Sequence, residues 1–380
     1  MVKHPYEHFP GVFAARGTSS STPKSSKSIK NMEKKRILRI FSIIILSILS
    51  MSMTAAAQGA QTVQAAQTAQ VAQTAQAPRK SYGVINVSVA NLRATDDYDA
   101  EMVSQALLGT PVKVLSISSK NSWPKVETPD GYHGWIHKDA ISLMDEAHLH
   151  EWNSASKAVV TALFGIVRES PNQNGTVVSD VVGGDRLRLE GRRGAWLKVS
   201  FPDGRGGYVR GNEAMEEGAW KKNLRVDADA IISTAMSMKG FPYVWGGMSP
   251  KGMDCSGFVR TVLWMHGIII PRDASQQAPC GERIDIVKSG GSIDTSALKK
   301  GDLLFFGRRD SGRVSHVGIY IGGGRFIHSL GLVKVGSIDP KAPDFDSYNT
   351  GRLLFATRVL PYIGKDPRLN TIDTNPFYLL

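Results

Sequence analysis

Only two cysteines, Cys255 and Cys280, occur in 380 residues. Two thiols make no disulfide framework, and the residues around Cys255 favour a lone reactive thiol over a Cys255–Cys280 pair. The apolar run at residues 40–53 has fourteen residues, four of them Ser, short of the roughly 20 that a spanning helix needs. No cysteine lies near its end, so a lipid anchor is not indicated. No His, Cys, Asp or Glu set has usable metal-ligand spacing, and the glycine-rich stretches form neither a phosphate loop nor a dinucleotide fingerprint. No metal or cofactor is therefore expected.

The chain has a pI near 9.6 and a net charge of +12, which raises nucleic acid or anionic membrane as a partner. The location of the charge excludes most of that. Residues 1–80 hold eleven Lys/Arg against two Asp/Glu, and the remaining 300 hold 35 against 32. Lys34, Lys35, Arg36 and Arg39 precede the apolar run, and Ala55, Ala56 and Ala57 follow it. This is the layout of a secretory signal peptide. Residues 1–57 are read as a leader cleaved near Ala57, giving an exported periplasmic or extracellular product, with the membrane needed only for export. Residues 1–31 reflect an early start codon and should carry no function. Residues 58–80, rich in Ala and Gln, read as a tether with too few large apolar side chains to offset ordering entropy; a helical stalk is the alternative.

An internal repeat follows. Trp123, Val126, Pro129, Asp130, Gly131, Gly134 and Trp135 recur as Trp196, Val199, Pro202, Asp203, Gly204, Gly207 and Tyr208, all at an offset of 73. Short alternating strands precede each block, as at residues 112–115 and 187–189. Two small all-β barrels are expected, over residues 81–147 and 152–220. Core packing is the expected role of Trp123 and Trp196, whereas Tyr132 and Trp135 could pack or bind.

Beyond Trp220 the pattern changes to α+β. Residues 228–238 read as a helix capped by Asp227, and residues 255–266 as a second with Gly267 as its stop. Strands are expected at residues 302–306, 315–321, 325–329 and 353–359. Cys255 thus sits where a loop becomes a helix, and there the helix N-terminus and a nearby imidazolium would lower a thiol pKa. His316 and His328 are an even number of residues apart, on strands joined by Gly322, Gly323 and Gly324, so both can project from one face. One could serve as base and the other could hold its tautomer. Either histidine alone reads as surface or satisfied core.

The blocks Asp254-Cys255-Ser256-Gly257-Phe258, Pro271-Arg272-Asp273, Gly301-Asp302-Leu303, Ser315-His316-Val317-Gly318-Ile319-Tyr320 and Phe326-Ile327-His328 resemble the NlpC-type family of papain-like cell-wall cysteine peptidases. The likeness spans about residues 225–360, so a peptidase domain is expected over residues 225–362 with residues 363–380 as a C-terminal tail. The two repeats resemble the bacterial SH3-like module. By the resemblance Cys255 is the nucleophile, His316 the base, His328 the orienting residue, and Tyr243 an oxyanion helper beside the Cys255 backbone N–H.

SH3-like modules ahead of such a domain resemble the recycling members of the family. That implies hydrolysis between γ-D-glutamate and a diamino acid in murein peptides with a free N-terminal L-alanine. By the same analogy Asp254 and Ser256 meet the alanine ammonium, and Glu101 and Tyr132 close the site from the first SH3-like module, with Trp135 beside them. Arg272 either pairs with the D-glutamate carboxylate or holds Asp273. A monomer without nucleic-acid partners is expected. The alternatives are a hydrolase of intact wall, a related acyltransferase or amidase, and a non-catalytic wall-binding protein.

Overall fold

The computed structural model describes residues 80–380. The leader, the cut near Ala57 and, apart from Lys80, the tether lie outside the described residues. The first seven strands are β1 (Tyr82–Ile85), β2 (Val89–Arg93), β3 (Met102–Leu107), β4 (Pro111–Ile117), β5 (Pro124–Glu127), β6 (His133–Ile136) and β7 (Ile141–Met144). They hydrogen-bond in the order β3-β2-β6-β5-β4-β1-β7. Strands β8 (Lys157–Val160), β9 (Phe164–Arg168), β10 (Val177–Val182), β11 (Arg186–Arg193), β12 (Trp196–Ser200), β13 (Gly206–Arg210) and β14 (Ala214–Glu216) repeat that order with every number raised by seven. The counted repeat is thus a repeat of topology. In each copy the Pro-Asp-Gly turn depends on a left-handed glycine, Gly131 at φ 76° and Gly204 at φ 88°, a conformation costly for any residue with a Cβ.

Helices α1 (Glu146–Ser154) and α2 (Glu217–Asn223) follow the two sheets. Next come α3 (Ala228–Ser237), the short β15 (Met248–Ser249) and β16 (Gly252–Met253), and α4 (Cys255–Trp264). Helix α3 starts where expected because the Asp227 carboxylate accepts the Ala230 N–H. The remaining elements are β17 (Ile268–Ile269), α5 (Ala274–Gln277), β18 (Glu282–Ile284), β19 (Leu303–Arg308), β20 (Arg313–Gly322), β21 (Arg325–Leu330), β22 (Leu332–Ser337), α6 (Ser347–Arg352), β23 (Leu353–Arg358), β24 (Asn370–Thr371) and α7 (Pro376–Leu379). A six-stranded antiparallel sheet runs β18-β23-β19-β20-β21-β22. Phe258, Val259, Val262 and Leu263 of α4 are buried in one core with Phe305, Val317, Ile319 and Ile327 of that sheet. This packing sets Cys255, at the first position of α4, against the middle strands.

The last eighteen residues form no free tail. Strand β24 pairs with β17, Leu369 and Ile372 are buried, and the Asn375 amide donates to the Pro129 carbonyl at 2.8 Å. Asn153 of α1 donates to the carbonyls of Phe377 and Leu380, both at 2.9 Å. The C-terminal segment therefore ties the α/β domain to the first β domain. Further ties are the Met248 N–H to Gln105 Oε1 at 2.9 Å and the buried Arg260–Asp130 pair at 3.0 Å. On the second β domain the Trp264 indole donates to the Gly184 carbonyl at 3.1 Å.

Candidate active site

Asp254 ends the β15–β16 hairpin and caps α4: its Oδ1 accepts the Gly257 N–H at 2.7 Å, and its Oδ2 accepts the Gly246 N–H at 3.0 Å. The Arg272 guanidinium grips the same carboxylate with two nitrogens, at 3.1 and 2.6 Å, and donates to Ser256 Oγ at 3.0 Å. Arg272 is 1% exposed. It therefore does not reach into the cleft, and neither alternative from the sequence holds: its partner is Asp254, not a substrate carboxylate and not Asp273. The Asp254 charge is paired with Arg272, and Asp254 also lines the cleft over Cys255. An arginine fork, with its planar bidentate geometry, is suited to offset the burial of that carboxylate.

Cys255 and Cys280 are both free thiols. As the first residue of α4, Cys255 has a backbone N–H with no intrahelical acceptor. The thiol also feels the backbone N–H groups of Val317 and Ser256. Those contacts lower its pKa, but burial, with the Asp254 carboxylate second, pushes it up to about 11. Burial thus works against the expected thiolate, because 8% exposure removes the solvation a charged sulfur needs.

The histidines meet across β20 and β21. His316 Nε2 lies 2.8 Å from His328 Nδ1, with the rings edge to face. His316 Nε2 is thus engaged by His328, and Nδ1 is the ring nitrogen outside this contact. Burial, then the neighbouring His328, pushes His316 down to about 3, and burial pushes His328 down to about 4. Burial therefore disfavours the charged form of both the Cys255 thiol and the His316 imidazole.

These depressed values carry a stability prediction. Unfolded, both histidines titrate near 6.5. Between that value and 3–4 the unfolded chain binds protons that the native site refuses, so stability is full above about pH 6.5 and is lost as pH falls. The loss expected by pH 5 is about 2 kcal/mol per histidine. Thermal unfolding between pH 7 and 5 checks this: Tm should fall, and should fall less in His328→Asn. A flat Tm over that range contradicts it.

A cleft of about 480 Å³ opens over Cys255. Glu101 and Tyr132 of the first β domain line it together with Tyr243, Trp245, Asp254, Ser256 and Asp273 of the α/β domain. Tyr132 hydrogen-bonds Asp273, and burial, before the Asp273 charge, raises its phenol pKa. The Tyr243 phenol is pushed up to about 12 by burial and then by Cys255, and so stays a proton donor. Arg308 and Arg313 form the basic end of the cleft. Trp135 is not among the lining residues; it sits within the β2-β6-β5 ladder.

Two residues beside these candidates have no motif of their own in the sequence. Trp245, 61% exposed, donates its indole N–H to Glu101 Oε1 at 2.7 Å across 144 residues of chain. The one local signal was an exposed-type aromatic just ahead of the cysteine motif. Asp346 Oδ2 lies 3.7 Å from His328 Nε2.

A family model described as the NlpC/P60 family matches residues 240–348. Over 277 residues the chain is 30% identical to dipeptidyl-peptidase 6 of Lysinibacillus sphaericus, covering 68% of this chain and 93% of that relative. The chain belongs to the NlpC/P60 family. It is also 32% identical to a gamma-D-glutamyl-L-lysine dipeptidyl-peptidase of Bacillus cereus, over 60% of this chain and 67% of the relative. A crystal structure of an NlpC/P60 family protein from Bacillus cereus superposes with a TM-score of 0.61 at 26% identity, covering 74% of this chain and all of that one. Models for a bacterial dipeptidyl-peptidase Sh3 domain and a bacterial SH3 domain match residues 92–141 and 162–213. This NlpC/P60 chain accordingly carries two SH3-like domains ahead of a cysteine-peptidase fold.

Proposed function

We propose that the protein is an exported cysteine endopeptidase. It hydrolyses the bond between γ-D-glutamate and a diamino acid in murein-derived peptides with a free N-terminal L-alanine. The observation that carries the reading is that Glu101 and Tyr132 of the first SH3-like domain close the cleft beside Cys255. Two of the similar proteins, from Bacillus cereus and Bacillus subtilis, are named gamma-D-glutamyl-L-lysine dipeptidyl-peptidases, which supports the same bond.

In this reading Cys255 Sγ attacks the γ-carbonyl carbon as its proton passes to His316 Nδ1. The oxyanion takes hydrogen bonds from the Cys255 backbone N–H and the Tyr243 phenol. Collapse expels the diamino acid amine, which receives the proton from His316 and leaves a thioester. Water then attacks the thioester carbonyl, giving its proton to His316, and the released thiolate recovers it. Because burial disfavours charge on both thiol and imidazole, the proton moves during attack.

Glu101 has no Lys or Arg ion-pair partner among the described residues and is held by Trp245. It is therefore the carboxylate free to receive an alanine ammonium. In intact wall that nitrogen is acylated and carries no charge. Glu101 would then be covered by a group unable to neutralise it, at a cost of about tenfold to a hundredfold in rate. The test compares hydrolysis of one tripeptide with a free and with an N-acetylated alanine, in the wild type and in Glu101→Gln. The free peptide should win in the wild type, and Glu101→Gln should narrow the gap. Equal rates in the wild type would favour a hydrolase of intact wall.

A further inference from the structure

Behind His328 lies a group that the three-residue catalytic reading does not use. The histidine is completely buried, and its Nε2 has no hydrogen-bond partner among the described residues. The nearest charge is Asp346 Oδ2 at 3.7 Å, too long for a direct hydrogen bond but well inside the range of a charge on a ring N–H. Asp346 is not loosely placed. Its Oδ1 accepts the Asn349 N–H at 2.9 Å, its Oδ2 accepts the Asn349 side-chain amide at 2.6 Å, and its backbone N–H donates to the Ser337 carbonyl at 2.8 Å. Asn349 is itself completely buried.

The sheet makes room for this arrangement. A Cβ on Gly336 would stand 3.1 Å from Asp346 Cβ and 3.3 Å from its Oδ2, and a Cβ on Gly318 would stand 3.1 Å from His328 Cβ. Side chains at those two positions would push the carboxylate and the imidazole out of line.

We infer that Asp346 is a positioning residue for catalysis, the fourth member of a line Cys255–His316–His328–Asp346 whose charge selects the tautomers of both histidines. The inference rests on the reading of Cys255 and His316 as nucleophile and base. To receive the thiol proton, His316 Nδ1 must be bare, so its proton sits on Nε2 and is donated to His328 Nδ1. His328 then carries its own proton on Nε2, facing Asp346. In the opposite tautomer His328 Nδ1–H would point at His316 Nε2 and force the His316 proton onto Nδ1, blocking the thiol. A carboxylate opposite His328 Nε2 favours the productive form. It also stabilises the positive charge that arrives on His316 during attack, against the opposing charges of Lys334, across from His328 on β22, and Arg352.

The test is Asp346→Asn in the full chain, with Asp346→Ser beside it. Both residues cap helices well, so each can keep the bond to the Asn349 N–H while removing the charge. The expected result is a fall in kcat of about 10–100-fold, the range seen when outer partners of ligating histidines are removed, with KM little changed. The acid limb of the kcat/KM profile should move to lower pH, because a carboxylate that favours imidazolium is gone. Nitrogen-15 NMR of the imidazoles should show the Nε2–H form of His316 losing population. A helix-capping role alone would lower Tm and leave the acid limb and the tautomer unmoved, which would overturn the inference. Unchanged kcat in both variants alongside an inactive Cys255→Ala would overturn it too, while leaving the nucleophile in place. Full turnover by Cys255→Ala would overturn the catalytic reading beneath it.

Discussion

Replacing Cys255 or His316 by alanine is expected to bring peptide hydrolysis down by about 10⁴-fold or more, with the fold intact. Both residues act in one proton and acyl transfer, so the double variant should be no worse than either single one. His328→Ala should lose less, keeping a rate about tenfold to a hundredfold above the Cys255→Ala background, because an orienting group leaves nucleophile and base in place. Cys280→Ser is the control. Cys280 is completely buried in the core of the α/β domain, its thiol pushed up to about 12 by burial and then by Asp366, and it does not line the cleft. Its replacement should leave turnover unaltered. Single-turnover assays with mass detection of a trapped acyl-enzyme would check the assignment. Hydrolysis by Cys255→Ala at the wild-type rate would move the nucleophile elsewhere.

The largest expected effect on stability comes from Arg272→Ala. It would leave the buried Asp254 carboxylate with the Gly246 and Gly257 N–H groups but no cation, and Ser256 Oγ without its donor. Removing one partner of a buried ion pair costs about 3–5 kcal/mol. Arg272→Lys should recover little, because an ammonium cannot bond both carboxylate oxygens and the Ser256 hydroxyl in one plane. Adding Asp254→Asn to Arg272→Ala should restore part of the loss, since no buried charge is then left unpaired. Denaturant unfolding of the three variants decides the matter. An Arg272→Ala protein within 1 kcal/mol of the wild type would mean that solvent reaches Asp254.

The Asp254–Arg272 pair also changes how the cleft is expected to read an ammonium. Asp254, Glu101 and Asp273 all line the cleft, and Asp254 alone of the three is paired with Arg272. Burial, followed by the Asp254 charge, raises the Asp273 pKa, and its carboxyl is shared with Tyr132. An entering cation would favour ionisation of Asp273 and hold Glu101 against the Trp245 indole. In the proposed reading specificity depends on contacts between these two domains, which the docked C-terminal segment also joins.

Much of this protein was written in local sequence. The 73-residue offset foretold two sheets of one topology, because the Pro-Asp-Gly turns and the alternation of apolar residues are short-range signals. Asp227 announced one helix start, and the even spacing of His316 and His328 let both rings meet on neighbouring strands. Tertiary structure alone decided the rest. Arg272 met Asp254 rather than a substrate because burial, not spacing, sets which charges must pair. The thiol lost its expected acidity because desolvation is a property of the packed core and has no sequence period. Trp245 found Glu101 across a domain boundary, and Asp346 reached His328 from beyond β22. Residues 363–380 docked because Leu369 joins the α/β core and Ile372 packs with Leu107, Val182 and Trp264 from three domains.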